Sequence, residues 1–128
     1  MKRSLPIAVL LIASLAAHAH HGVSRYDMRV IATLEGVVER FGWQSPHTSL
    51  TLAVQRGGNT EIWEIEGAPP GWMAGQGWSP DSLAAGETVT MTYHPVRQQP
   101  ARAGILMEVA RADGEVLKVN RPARLGGP

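Results

Sequence analysis

An apolar–polar alternation of period two returns in run after run of this chain, with glycine or proline between the runs, and it restricts the fold to half-buried β-strands. The first run, VIATLEGVVERFGW, covers residues 30–43. Val30, Ala32, Leu34, Gly36 and Val38 fall on one face and Thr33, Glu35 and Glu39 on the other, while Gly36 and Gly42 are points where a strand can bend or bulge. After the turn SPH, the run TSLTLAV puts Thr48, Leu50, Leu52 and Val54 on one side. Gly57-Gly58 then predicts a hairpin into TEIWEIE, where Glu61, Trp63 and Ile65 share one face and Ile62, Glu64 and Glu66 the other. In ETVTMTYHPV, the residues Val89, Met91 and Tyr93 turn inward and Thr88, Thr90, Thr92 and His94 outward. GILMEVARADGEVLKVN predicts a strand, an Asp113-Gly114 turn and a last short strand.

The pattern lapses only in GAPPGWMAGQGWSPDSLAAGE. Ser79 can cap free amides and Pro80 tolerates the first helical position, with Gly86 as a stop, so a short helix is predicted at Pro80–Ala85 and a turn at Pro70–Ala74. Three meandering strands, a helical connection and two or three further strands predict a mainly β fold. The layout is that of a small OB-fold-like β-barrel of five to six strands with a short helix between strands three and four. A β-sandwich is the runner-up, but sandwiches more often show about seven strands.

Lys2 and Arg3 followed by the apolar run Leu5 to Ala17 have the layout of a secretory signal, too short to span a bilayer, which needs about 20 apolar residues. Ala17 and Ala19 fit the small-x-small rule, so residues 1–19 read as the signal peptide and His20 as the new amino terminus. Cutting after Ala17 is the weaker option. Residues 20–29 then form an N-terminal arm, 30–120 the barrel domain and 121–128 a tail. The expected address is the periplasm or the exterior. Loss of Lys2 and Arg3 moves the formal charge from +1 to −1, which argues against a nucleic-acid binder relying on phosphate contacts. The chain has no cysteine, hence no disulfide or thiolate chemistry, and no later segment is long and apolar enough to predict a membrane span.

Several stretches together, AHHG, YD, EGVVERFGWQSPH, WEIEGAP, GW, SPDSLAAGETVTM and DGEVLKV, carry a likeness to a family. The chain resembles a group of small exported bacterial proteins known only as a domain of unknown function. Members typically begin His-His-Ser and carry Trp-x-Asn-Pro-His after the first strand; here Gly22 follows the histidine pair and Ser45 stands in the asparagine position. The resemblance implies an exported small β-barrel and brings no catalytic residues.

The histidines are the first candidates for chemistry. His18, His20 and His21 cluster at the expected cut. An amino-terminal His20 offers an α-amine and an imidazole to one metal ion, and His21, His47 or His94 can supply further nitrogen, a donor set that suits copper, zinc or nickel. His94 is the preferred partner of His20 and His21, because the fourth strand of an OB-type barrel ends near the start of the first. An arm of about nine residues can still span roughly 30 Å, so reach excludes neither His94 nor His47. The plainer expectation is a mobile His-rich end that binds metal incidentally.

Trp43 and His47 flank a proline turn where an aromatic and an imidazole can meet a ligand. The structural alternative has Trp43 covering the barrel end and His47 bonding the turn. Trp72 and Trp78 are expected to pin the helical connection. Glu64 and Glu66, on one face at about 7 Å, read as solvated strand carboxylates rather than an acid–base pair. Tyr26 and Asp27 can dock the arm through a hydroxyl bond and a pair with an arginine. No catalytic motif is recognisable. The expected function is therefore a binding or accessory module for a small ligand, envelope component or protein, with transition-metal binding, copper above all, as the alternative.

Overall fold

Alternation becomes sheet along almost its whole predicted length. The computed structural model describes residues 23–121. A 3-10 turn at Val23–Arg25 leads into β1 (Ala32–Gly42), β2 (Ser49–Arg56), β3 (Asn59–Glu66), a short helix α1 (Pro70–Ala74), β4 (Thr88–Pro95), β5 (Ala103–Arg111) and β6 (Val116–Lys118). The fold is mainly β with one short helix among the described residues.

The strands form a ring. β1 is antiparallel to both β2 and β4, β2 to β3 and β4 to β5, while a parallel pairing of β3 with β5 joins the two ends. β5 shares its far edge between two partners: residues 103–105 meet β3 and residues 108–110 meet β6. β1 serves two neighbours by bending, its first half lying on β4 up to Val37 and its second half on β2 from Val37 onward, with a register irregularity between Val38 and Arg40. Gly36 sits at this bend, where an added Cβ would come within 3.0 Å of the Ala53 carbonyl oxygen.

The inward faces read from the alternation fill the ring: Leu34, Val38, Leu50, Leu52, Trp63, Ile65, Val89 and Met91 pack in one buried cluster, which Leu106 and Val109 of β5 complete. Gly57 and Gly58 both take positive φ, 54° and 81°, as the two-residue hairpin between β2 and β3 requires.

Three expectations are corrected. The helix lies at Pro70–Ala74, where only a turn was expected, and Pro80–Ala85 is a bent turn instead of a helix. The expected cap bond forms, the Asp81 amide donating to Ser79 Oγ at 3.3 Å, but the Ala84 amide, which a helix would give to a main-chain carbonyl, donates to Glu87 Oε2 at 3.0 Å. Val30, placed on the inward face, is exposed and precedes β1. His94, placed outward, is 8% exposed, because a register shift after Thr92 and the overlying arm cover it.

The arm is docked over residues 23–31. Tyr26 forms a bridge with Val96, the Asp27 amide donates to the Pro95 carbonyl at 2.8 Å, and the Arg97 amide donates to the Arg25 carbonyl at 2.9 Å. Tyr26, Val96 and Ile105 make a second small buried cluster outside the main core. Trp78 donates its indole N–H to the Lys118 carbonyl at 2.9 Å and Trp72 to the Asn120 carbonyl at 3.0 Å. Both tryptophans thus pin the helical connection, as expected, and their anchor is the end of β6.

Candidate functional site

The register of β2 on β3 decides where His47 goes. Ser49 pairs with Glu66, the last residue of β3, so the chain just before β2 runs on past that strand end. Two backbone bonds prolong the ladder, Gly67 amide to Thr48 carbonyl at 2.8 Å and Thr48 amide to Ala68 carbonyl at 3.0 Å. His47 is thereby held beside Glu66, its Nδ1 3.5 Å from Oε1, close enough for an ion pair when the ring is protonated but not hydrogen-bonded.

Glu66 meets the arm on its other oxygen. The Tyr26 hydroxyl donates to Oε2 at 2.6 Å, a short charge-assisted bond. Burial, then the Glu66 hydrogen bond and charge, push the Tyr26 phenol well above its ordinary pKa. Arg25 lies over the Tyr26 ring, its guanidinium carbon 5.2 Å from the ring centre. The parallel β3–β5 pairing sets Ile105 beside Glu66 and thus brings the Tyr26 cluster to the end of β3.

A cleft of about 320 Å³ opens here, lined by Tyr26, Pro46, His47, Glu64, Ile65 and Glu66 among others. Beside it lies a smaller cavity of about 90 Å³ that shares Tyr26, His47 and Glu66 and adds Arg121. Arg121 donates through Nη1 to the Leu106 carbonyl at 2.6 Å. Desolvation lowers its pKa while Glu66 and Tyr26 partly offset that, and the guanidinium stays charged.

The other sequence candidates lie elsewhere. Trp43 does not line the cleft: it packs against Phe41, ring centres 5.9 Å apart, and Phe41 against Trp78 at 5.7 Å, so it covers one end of the core. His94 is buried and its Nδ1 is 2.7 Å from the Val30 carbonyl oxygen, which leaves Nε2 as its remaining nitrogen. His18, His20 and His21 lie outside the described residues. Val23, the first described residue, lines the small cavity together with His47, so the arm enters the structure on the His47 side. Among the described residues no group of three or more histidine and carboxylate side chains is placed to hold a metal ion. Among them, too, no helix is long and apolar enough to cross a membrane.

A family model described as a family of unknown function, DUF6152, matches residues 8–106. The chain belongs to DUF6152. It matches no curated protein and no solved structure. The DUF6152 match takes in Tyr26, His47 and Glu66 and stops short of Arg121. It also takes in every stretch on which the family likeness rests except DGEVLKV, residues 113–119.

Two members of the cluster escaped the sequence reading. By alternation Glu66 reads as a solvated strand carboxylate, yet its side chain is only 29% exposed, because it ends β3 where the arm folds over. Arg121 falls in the stretch expected to be a loose tail, and no pattern in RPARLGGP marks it. The local clue to Glu66 is its position: it is the last alternating residue before Gly67, where a strand leaves its sheet.

Proposed function

We propose that this protein is an exported, periplasmic binding or accessory module built as an OB-type barrel, and that its ligand enters the cleft between the arm and the ends of β2 and β3. One observation carries this reading. Polar side chains from four separate segments, Tyr26 of the arm, His47 before β2, Glu66 of β3 and Arg121 after β6, converge on one concave surface whose adjoining wall is apolar. Barrels of the OB type commonly bind their ligands on the side of strands two and three, which is the side of this cleft. Glu66 is gripped by the Tyr26 hydroxyl, so its carboxylate is a fixed acceptor, which favours binding over proton transfer.

The test is a ¹H–¹⁵N titration of the secreted full chain with a panel of small aromatic and aliphatic compounds and a muropeptide. Shifts should gather at residues 25–26, 46–49, 64–66 and 103–104, and His47→Ala should weaken binding at least about tenfold, the loss of one good polar contact. Shifts confined to other surfaces, or binding indifferent to His47→Ala, would reject the cleft. Intact mass of the secreted product checks export separately, with a chain starting at His20 expected.

A further inference from the structure

Two buried side-chain nitrogens among the described residues lack a hydrogen-bond partner: His47 Nδ1 and Arg121 Nη2. Both residues line the same cavity of about 90 Å³. Buried polar atoms are nearly always paired, and two orphans on residues that line one space, Arg121 Nη2 a donor and His47 Nδ1 a donor in the tautomer that carries its proton there, point to an acceptor in that space. The neighbouring groups do not supply the acceptor. Glu66 Oε2 is engaged by the Tyr26 hydroxyl, Oε1 stands 3.5 Å from His47 Nδ1 without bonding it, and the Leu106 carbonyl takes Arg121 Nη1.

A carboxylate meets the requirement: two coplanar oxygens that accept from two donors at once, on a group of three heavy atoms. Guanidinium pairs preferentially with such planar anions. The cavity has room for about three water-sized groups, which matches that size. Charge narrows the choice further. Arg121 supplies the cation, and beside the Glu66 carboxylate a monoanion meets less repulsion than a phosphate dianion would. The rest of the ligand would lie in the larger cleft, against Pro46, Ile65, Ala103 and the Tyr26 ring.

We infer that the cavity takes the carboxylate of a small organic acid, with Arg121 Nη2 and His47 Nδ1 as donors and a short apolar body in the adjoining cleft. This rests on the cleft being the binding surface proposed above.

The experiment compares benzoate with its neutral isostere benzamide on the secreted full chain, reading affinity by calorimetry and the Arg121 guanidinium and His47 ring nitrogens by NMR. Benzoate should bind at least about tenfold tighter than benzamide, the worth of a charge-assisted pair, and should shift both nitrogens. Arg121→Gln should abolish the preference and Arg121→Lys retain part of it. If Arg121→Gln does not fold, the nitrogen shifts in the unaltered protein and the His47→Gln variant carry the test. Benzamide binding as tightly as benzoate, or a preference that survives Arg121→Gln, overturns the carboxylate assignment and leaves the cleft standing. Neither probe shifting Tyr26, His47 or Glu66 overturns both.

Discussion

Tyr26 ties three parts of the protein together through one side chain. Its ring packs with Val96 and Ile105, its hydroxyl holds Glu66, and its backbone bridges to the end of β4. Tyr26→Phe keeps the ring and deletes the bond, and should lower stability by about 1.5 kcal/mol, the size of a bond to a partly buried charged acceptor. The same substitution tests a pH effect. The phenol ionises at about pH 10 in an unfolded chain and higher in the folded one, so its contribution is complete below pH 10 and is lost as the pH climbs past it. Urea unfolding followed from pH 7 to 11 should therefore show a steeper alkaline decline in the wild type than in Tyr26→Phe. Burial raises Tyr93 as well, which leaves the variant a residual slope.

At the scale of elements, the arm carries an acid-sensitive ion pair. Asp27 bonds Arg29 at 3.2 Å and stands 3.9 Å from Arg97. The Arg29 hydrogen bonds hold its carboxyl below the ordinary range, so this contribution is present above about pH 4 and disappears as the pH falls through the lowered value. Amide protection at residues 24–29, taken relative to the intrinsic exchange rate at each pH, should fall on acidification through that range in the wild type, whereas Asp27→Asn should show the lower protection already at neutral pH. The helical connection shows how local signals can mislead. Ser79-Pro80 is a good helix start on its own, but Leu83 is buried and the Gly86 amide is bonded to the Val38 carbonyl at 2.8 Å, so the segment is drawn across the sheet before a helical turn can close. Pro70–Ala74 winds instead, because buried Met73 anchors it over the core.

For the whole molecule, closure rests on the three-residue parallel contact of β3 with β5. Gly104 is central to it, paired with Ile65, and a Cβ there would collide with the Tyr93 ring and approach the His94 carbonyl oxygen to 2.7 Å. Gly104→Ala should cost about 1–3 kcal/mol, as overpacking of a filled site does, and should raise amide exchange at residues 64–66 above that of the β1–β4 pair. Denaturant unfolding combined with exchange separates a loosened seam from general destabilisation. Because the same contact brings the Tyr26 cluster to Glu66, opening the seam should also weaken whatever the cleft binds.

The sequence alone determined the strands, their inward faces, the β2–β3 hairpin and the turn before β6, since each depends on neighbours two or three residues apart. It also pointed to Tyr26 and Asp27 as docking residues and to His47 as a side chain worth watching. Tertiary structure decided which distant partners they meet. Tyr26 reaches Glu66 through ring closure, Arg121 joins His47 and Glu66 through the placement of the chain after β6, and Trp43 leaves the site because Phe41 offers it a packing surface. Alternation reports which side of a strand faces the core; it carries no information on which strand ends the closed ring will bring together.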